Sequence, residues 1–223
     1  MKKLIALTLA LLTLTMCFAA CDNQANDNTA ETTPAVNTPA ETTPAVEETT
    51  PAPELAYNSA IELLQIIFEK YNAAQTSEDT MLWVCGGNVN NFDTVNAEAP
   101  AAFVALDNED YNQNLGYPVA EANKIVSAAS MFNMMNANTF TCYTVQLTEG
   151  TDVDAMANTL KDNILARQWI CGQPEKLVIA KAPGNYLIVT WGVSVDGGIV
   201  LPYTESFATL VPGSEIVVTE NIG

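Results

Sequence analysis

Apolar positions recur with a helical period in the first well-patterned stretch of the chain. Ala60, Leu63, Leu64, Ile67, Phe68, Tyr71 and Ala74 fall at i, i+3, i+4, i+7, i+8, i+11 and i+14, and Ser59-Ala-Ile-Glu62 places a capping box at the start. A helix is predicted there. Met81-Leu-Trp-Val-Cys85 reads as a short buried strand stopped by Gly86-Gly87, with Trp83 in the core. Glu98 to Leu106 reads as a weak helix with Pro100 in its first turn, and Asp107 to Gly116 as a polar loop. Ala122, Ile125, Val126 and Ala129 share one stripe, which predicts a second helix from Val119 to about Met131.

The pattern then changes period. Thr139 to Leu147 alternates as a strand does, with Phe140 and Cys142 on one side and Tyr143, Val145 and Leu147 on the other. Thr151-Asp-Val-Asp154 opens a helix whose buried face is Val153, Met156, Ala157, Leu160 and Ile164, ending before Trp169. Lys176–Ala180 and Tyr186–Thr190 flank Ala182-Pro-Gly-Asn185, the signature of a hairpin. A short helix at Glu205–Val211 and a strand at Glu215–Thr219 close the chain. The expected class is α+β: one domain, a mostly antiparallel sheet, and helices packed on one face.

Upstream of residue 55 no such pattern exists. Lys2 and Lys3 precede an apolar run from Leu4 to Met16. As a helix that run is about 20 Å long, short of the roughly 30 Å hydrocarbon core, so residues 1–20 read as a signal peptide. Phe18-Ala19-Ala20-Cys21 resembles the lipobox of bacterial lipoproteins, with small residues before the cysteine and Phe18 where Leu is usual. The resemblance implies lipid on Cys21, export, and attachment to the outer face of the cell membrane through that lipid. A plain secretory signal cut near Ala19 or Ala20 is the alternative.

Residues 21–54 carry no aromatic residue and no Lys or Arg, but seven acids, Asp22, Asp27, Glu31, Glu41, Glu47, Glu48 and Glu54. Glu31-Thr-Thr-Pro-Ala-Val36 recurs as Glu41-Thr-Thr-Pro-Ala-Val46. So little apolar surface cannot offset the entropy of ordering, and a disordered Thr/Pro-rich spacer is expected. Its reach is on the order of 100 Å if fully extended and about 30 Å as a coil. Residues 55–223 remain for a globular domain.

Charge narrows the partners. The chain has 26 acids against eight basic residues, a net charge of −18. In the globular part only Lys70, Lys124, Lys161, Arg167, Lys176 and Lys181 are basic, and they are scattered, so a nucleic-acid partner is excluded. The chain has no histidine, which removes Ser-His-Asp and Cys-His arrangements and the commonest neutral-pH base. Cys85, Cys142 and Cys171 are widely spaced with no C-x-x-C pair, which argues against zinc or an iron–sulfur cluster; no cofactor is expected. They read as buried hydrophobes, or as one disulfide plus a spare thiol.

Candidate sites are few. Asp107, Glu109, Asp110 and Asn112 form an acidic cluster of the composition calcium prefers, without the spacing of a calcium loop. Gly86-Gly87-Asn88 could bend backbone amides toward an anion or simply turn. Met131, Phe132, Met134 and Met135 could fill the core or form an adaptable apolar patch. Trp169 and Trp191, which border Gly-containing turns, could line a ligand groove with Tyr186 and Tyr203.

Leu115-Gly116-Tyr117, Met131-Phe-Asn-Met-Met-Asn136, Val153-Asp-Ala-Met-Ala157 and Ala182-Pro-Gly-Asn-Tyr-Leu-Ile-Val189 together resemble a family of small Gram-positive lipoproteins known only as a domain of unknown function. The likeness spans roughly residues 107–191. It implies an architecture and a location, and no activity. The expected function is therefore a non-enzymatic, surface-tethered binding module of the cell envelope, with an envelope protein or glycan as partner. The alternatives are an accessory component of an envelope assembly and a carboxylate-based wall-glycan hydrolase.

Overall fold

The period-2 alternation of Phe140–Leu147 dictates what the sheet does with its two faces. The structure, a computed structural model, describes residues 55–133, 135, 139–170, 172–193 and 200–223. These belong to one compact unit, Pro51–Gly223. Residues 1–54, to which the expected signal peptide, spacer and Cys21 belong, lie outside the described residues, as do Cys171 and Met134.

Among the described residues six strands form one antiparallel sheet in the order β1-β2-β3-β5-β4-β6. They are β1 (Ala101–Ala102), β2 (Ile125–Phe132), β3 (Phe140–Leu147), β4 (Lys176–Ala182), β5 (Tyr186–Gly192) and β6 (Glu215–Asn221). The β4–β5 hairpin turns through Pro183-Gly184-Asn185 as its sequence requires: Gly184 and Asn185 take φ of 89° and 63°, which Pro could not adopt. Opposed residues such as Thr141 and Trp191 share a face.

Two cores result. Phe140, Cys142, Val178, Ala180, Tyr186 and Ile188 face α1 (Ala60–Ala74), α4 (Val200–Glu205) and α5 (Phe207–Leu210). Tyr143, Val145, Leu177, Ile179, Leu187 and Val189 face α3 (Val153–Leu165), with Leu115 from α2 (Asn108–Leu115) in the same cluster. The α+β class and the antiparallel sheet are as the sequence predicts. The helices, however, cover both faces, and the reason is visible in β5, where every residue is buried. A strand that is apolar at both parities cannot leave either side in water.

The helix starts follow their caps. The Ser59 hydroxyl accepts from the Glu62 amide and Glu62 reaches back to the Asn58 amide. α3 is capped by Asp152, which accepts from the Ala155 amide, one residue later than the Thr151 start the sequence suggests.

Four local expectations are corrected. Met81–Cys85 is no strand, and only Cys85 makes an isolated bridge, to Phe132. Its side chains still alternate, so Leu82 and Val84 are buried while Trp83 is 68% exposed, its N–H on the Glu78 carbonyl. Trp83 is not core. Glu98–Leu106 holds the two-residue strand β1 and no helix, since Phe103 continues the pairing through its amide to the Ala128 carbonyl. Asp107–Gly116 is a helix, not a loop: Asp107 caps it, and Gly116 ends it at φ 69°. Val119–Met131 is a 3-10 turn (Val119–Lys124) running into β2, because the small residues Ala128, Ala129 and Ser130 serve a central strand that is covered on both sides.

Candidate functional site

Two tryptophans twenty-two residues apart meet at one end of the sheet. Trp191 is the penultimate residue of β5 and is 3% exposed; Trp169 follows α3. Their ring centres are 5.8 Å apart in a T-shaped contact, and Trp191 makes a second such contact with Tyr143 at 5.9 Å. Arg167, the only arginine in the chain, lies over both rings: its guanidinium carbon is 4.8 Å from the centre of Trp169 and 5.7 Å from that of Trp191.

The guanidinium is held from its other side. Its two terminal nitrogens donate to the Gln113 carbonyl at 2.7 Å and the Asn114 carbonyl at 3.4 Å. These carbonyls belong to the last turn of α2, whose dipole favours a cation. Burial lowers the Arg167 pKa from its ordinary value, with Tyr143 opposing the change. Among the described residues no carboxylate pairs with it, whereas Lys124, Lys161 and Lys181 each pair with an acid.

Beside this stack a cavity of about 130 Å³ opens to solvent. Phe103, Leu115, Val89, Phe132 and the two tryptophans make it mainly apolar, and among the described residues Arg167 is its one charged group. Ser130 and Thr141 also line it, and the Ser130 hydroxyl donates to the Gly87 carbonyl and accepts from the Gly87 amide. Both indole N–H groups are buried with no hydrogen-bond partner among the described residues.

The loop that brings Val89 to the cavity is fixed by Asp110. One carboxylate oxygen accepts from the Asn90 amide group at 2.8 Å, the other from Asn88 at 3.0 Å and from the Leu106 backbone at 2.6 Å. These donors, Asn90 foremost, hold the Asp110 pKa below the usual carboxylate value against the opposing effect of burial. Asp107 accepts from the Glu109 and Asp110 amides, and Asn112 donates to the Tyr117 carbonyl. Asp107, Asp110 and Asn112 are thus engaged by the helix and loop around them. Among the described residues no three acidic, Cys or His side chains group as a metal site.

The two glycines are also accounted for. A Cβ on Gly86 would lie 2.2 Å from the Ala101 nitrogen, and Gly87 sits at φ 101°. The amides of Gly86, Gly87 and Asn88 go to the Asn96 carbonyl, Ser130 and Thr94, so they are not free for an anion. Tyr186 is separated from the tryptophans: it packs edge-on to Tyr57 at 5.1 Å in the opposite core, and burial raises its pKa to about 12. Tyr203 is in that core too, beside Cys142, whose thiol burial pushes up to about 11. Cys85 and Cys142 are free and buried. Met131 is buried, Phe132 lines the cavity and Met135 is 91% exposed, so they form no single patch.

Trp169 and Trp191 are brought together, and Arg167, Phe103, Val89 and Ser130 join them from segments that sequence reading left out. The one available signal was Arg167-Gln-Trp169, the chain's only arginine two residues from a tryptophan. No family model, curated protein or solved structure matches the chain.

Proposed function

We propose that this chain is an exported, lipid-anchored binding module of the bacterial cell envelope, non-enzymatic, whose ligand enters the Arg167–Trp169–Trp191 cavity. The address rests on Cys21 and the residues before it, and the acidic Thr/Pro spacer would hold the domain clear of the head groups. The observation that carries the binding reading is the cavity itself. It is mainly apolar and open to solvent, with a few polar groups among its lining residues, as in small-molecule sites.

Its size sets the probe. An engineered apolar cavity of about 150 Å³ holds benzene, so a cavity of about 130 Å³ should accept one ring. Purified full-length protein titrated with benzyl alcohol should show a saturable change in tryptophan fluorescence and a rise in Tm. Absence of both at millimolar probe would overturn the reading. Export and anchoring are tested separately: Cys21→Ala should move the protein from the membrane fraction to the soluble exported fraction, and persistent membrane association would refute the lipid anchor.

A further inference from the structure

We infer that the cavity selects a small free monocarboxylate with a ring-sized apolar body, the carboxylate meeting Arg167 and the ring lying among Phe103, Leu115 and the tryptophans. The inference rests on the binding reading above and adds the sign and class of the ligand.

Three observations point to an acceptor with negative charge. First, Arg167 has donors beyond those already used. Of its five N–H groups, two reach the Gln113 and Asn114 carbonyls. A ligand acceptor can take the others.

Second, the cation has no counter-ion among the described residues. Twenty-six acids are present, yet among the described residues none is placed against Arg167, while three of the lysines have acidic partners. A half-buried guanidinium pays for its desolvation only in part with two carbonyl bonds and two ring faces. A ligand carboxylate would complete it, and the planar fork suits a carboxylate.

Third, the competing class is disfavoured by position. Trp-lined pockets commonly take organic cations on the ring faces. Here Arg167 already lies over one face of each ring, so a second cation entering beside it would meet like charge. The volume limits the body to about one ring, too small for a sugar chain or a folded partner.

The test uses three isosteric probes on wild-type full-length protein: phenylacetate, phenylacetamide and phenethylamine, read by tryptophan fluorescence or calorimetry at low salt. Phenylacetate should bind roughly tenfold or more tightly than the amide, the size of one charge-assisted hydrogen bond, and the amine should be weakest. Raising salt should weaken the acid and leave the amide unchanged. Arg167→Met should bring acid and amide to equal affinity while retaining the ring. If the wild-type protein binds the amide or the amine as well as the acid, the charge selection is wrong and the ring-binding reading survives. If none of the three binds, the ligand-site reading falls as well.

Discussion

The guanidinium of Arg167 stacks over Trp169 at 4.8 Å while donating to the end of α2, so one side chain ties the segment after α3 to a helix that is distant in sequence. It is both a brace and, among the described residues, the only charge in the cavity. The consequences can be separated by mutation.

Arg167→Ala removes two carbonyl bonds and both ring contacts, and should destabilise by about 1–3 kcal/mol. Arg167→Lys should recover less than half of that, since an ammonium on a flexible stem cannot face two carbonyls and two rings at once. Urea unfolding with unchanged m-value is the measurement. Full recovery by Lys would show that the planar fork is irrelevant.

Asp110 gives a pH signature. Its folded pKa is depressed, so its contribution to stability is complete above the unfolded carboxylate value near 3.8 and is lost as pH falls through the folded value. Asp110→Ala should cost about 1–3 kcal/mol at pH 7 by stranding Asn88, Asn90 and the Leu106 amide. The gap between variant and wild type should narrow below pH 4. A gap that widened on acidification would contradict the assigned sign.

Gly86→Ala should cost about 3 kcal/mol, because the new carbon meets the Ala101, Ser130 and Pro100 backbones at 2.2–2.6 Å and none of these is a flexible tip. The edge pairing of β1 with β2 should loosen first, visible as faster amide exchange at Phe103. Unchanged stability and exchange would mean the approach is relaxed at no cost.

Leu64→Ala and Leu160→Ala test the two-faced sheet. Both side chains are fully buried, Leu64 on the inner face of α1 and Leu160 on that of α3. Each should cost about 2–5 kcal/mol. A large loss from only one would mean that one face is not a core. Trp83→Ser is the control, expected within about 0.5 kcal/mol for a side chain outside both cores.

Much of this fold is legible in the chain. α1, α3 and the β4–β5 hairpin follow from helical period, capping residues and Pro-Gly-Asn, and alternation assigns Phe140 and Tyr143 to opposite faces. β2 was read as helix for a physical reason: Ala128, Ala129 and Ser130 suit a strand whose faces both lie against other elements, and small residues at both parities carry no period of 2. Trp83 shows the converse, since a large aromatic is no guarantee of burial when its alternation points outward.

The site was half legible. Tyr186 and Trp191 are five residues apart on one strand, and an odd separation puts them on opposite faces, so their distance apart was already implied by strand geometry. Trp169 beside Trp191 was not implied by any spacing. It depends on where the segment after α3 lands, which the Arg167 bonds to Gln113 and Asn114 decide. Such contacts are long-range and side chain to backbone, and leave no periodic trace.

The chain has three tryptophans, and their indole N–H signals separate the site from the rest of the surface. The most direct test is a nitrogen–proton correlation spectrum of the protein titrated with phenylacetate. Saturable shifts at Trp169 and Trp191, with Trp83 unmoved, are the expected result. Shifts confined to the exposed Trp83, or equal at all three, would contradict a ligand site at Arg167.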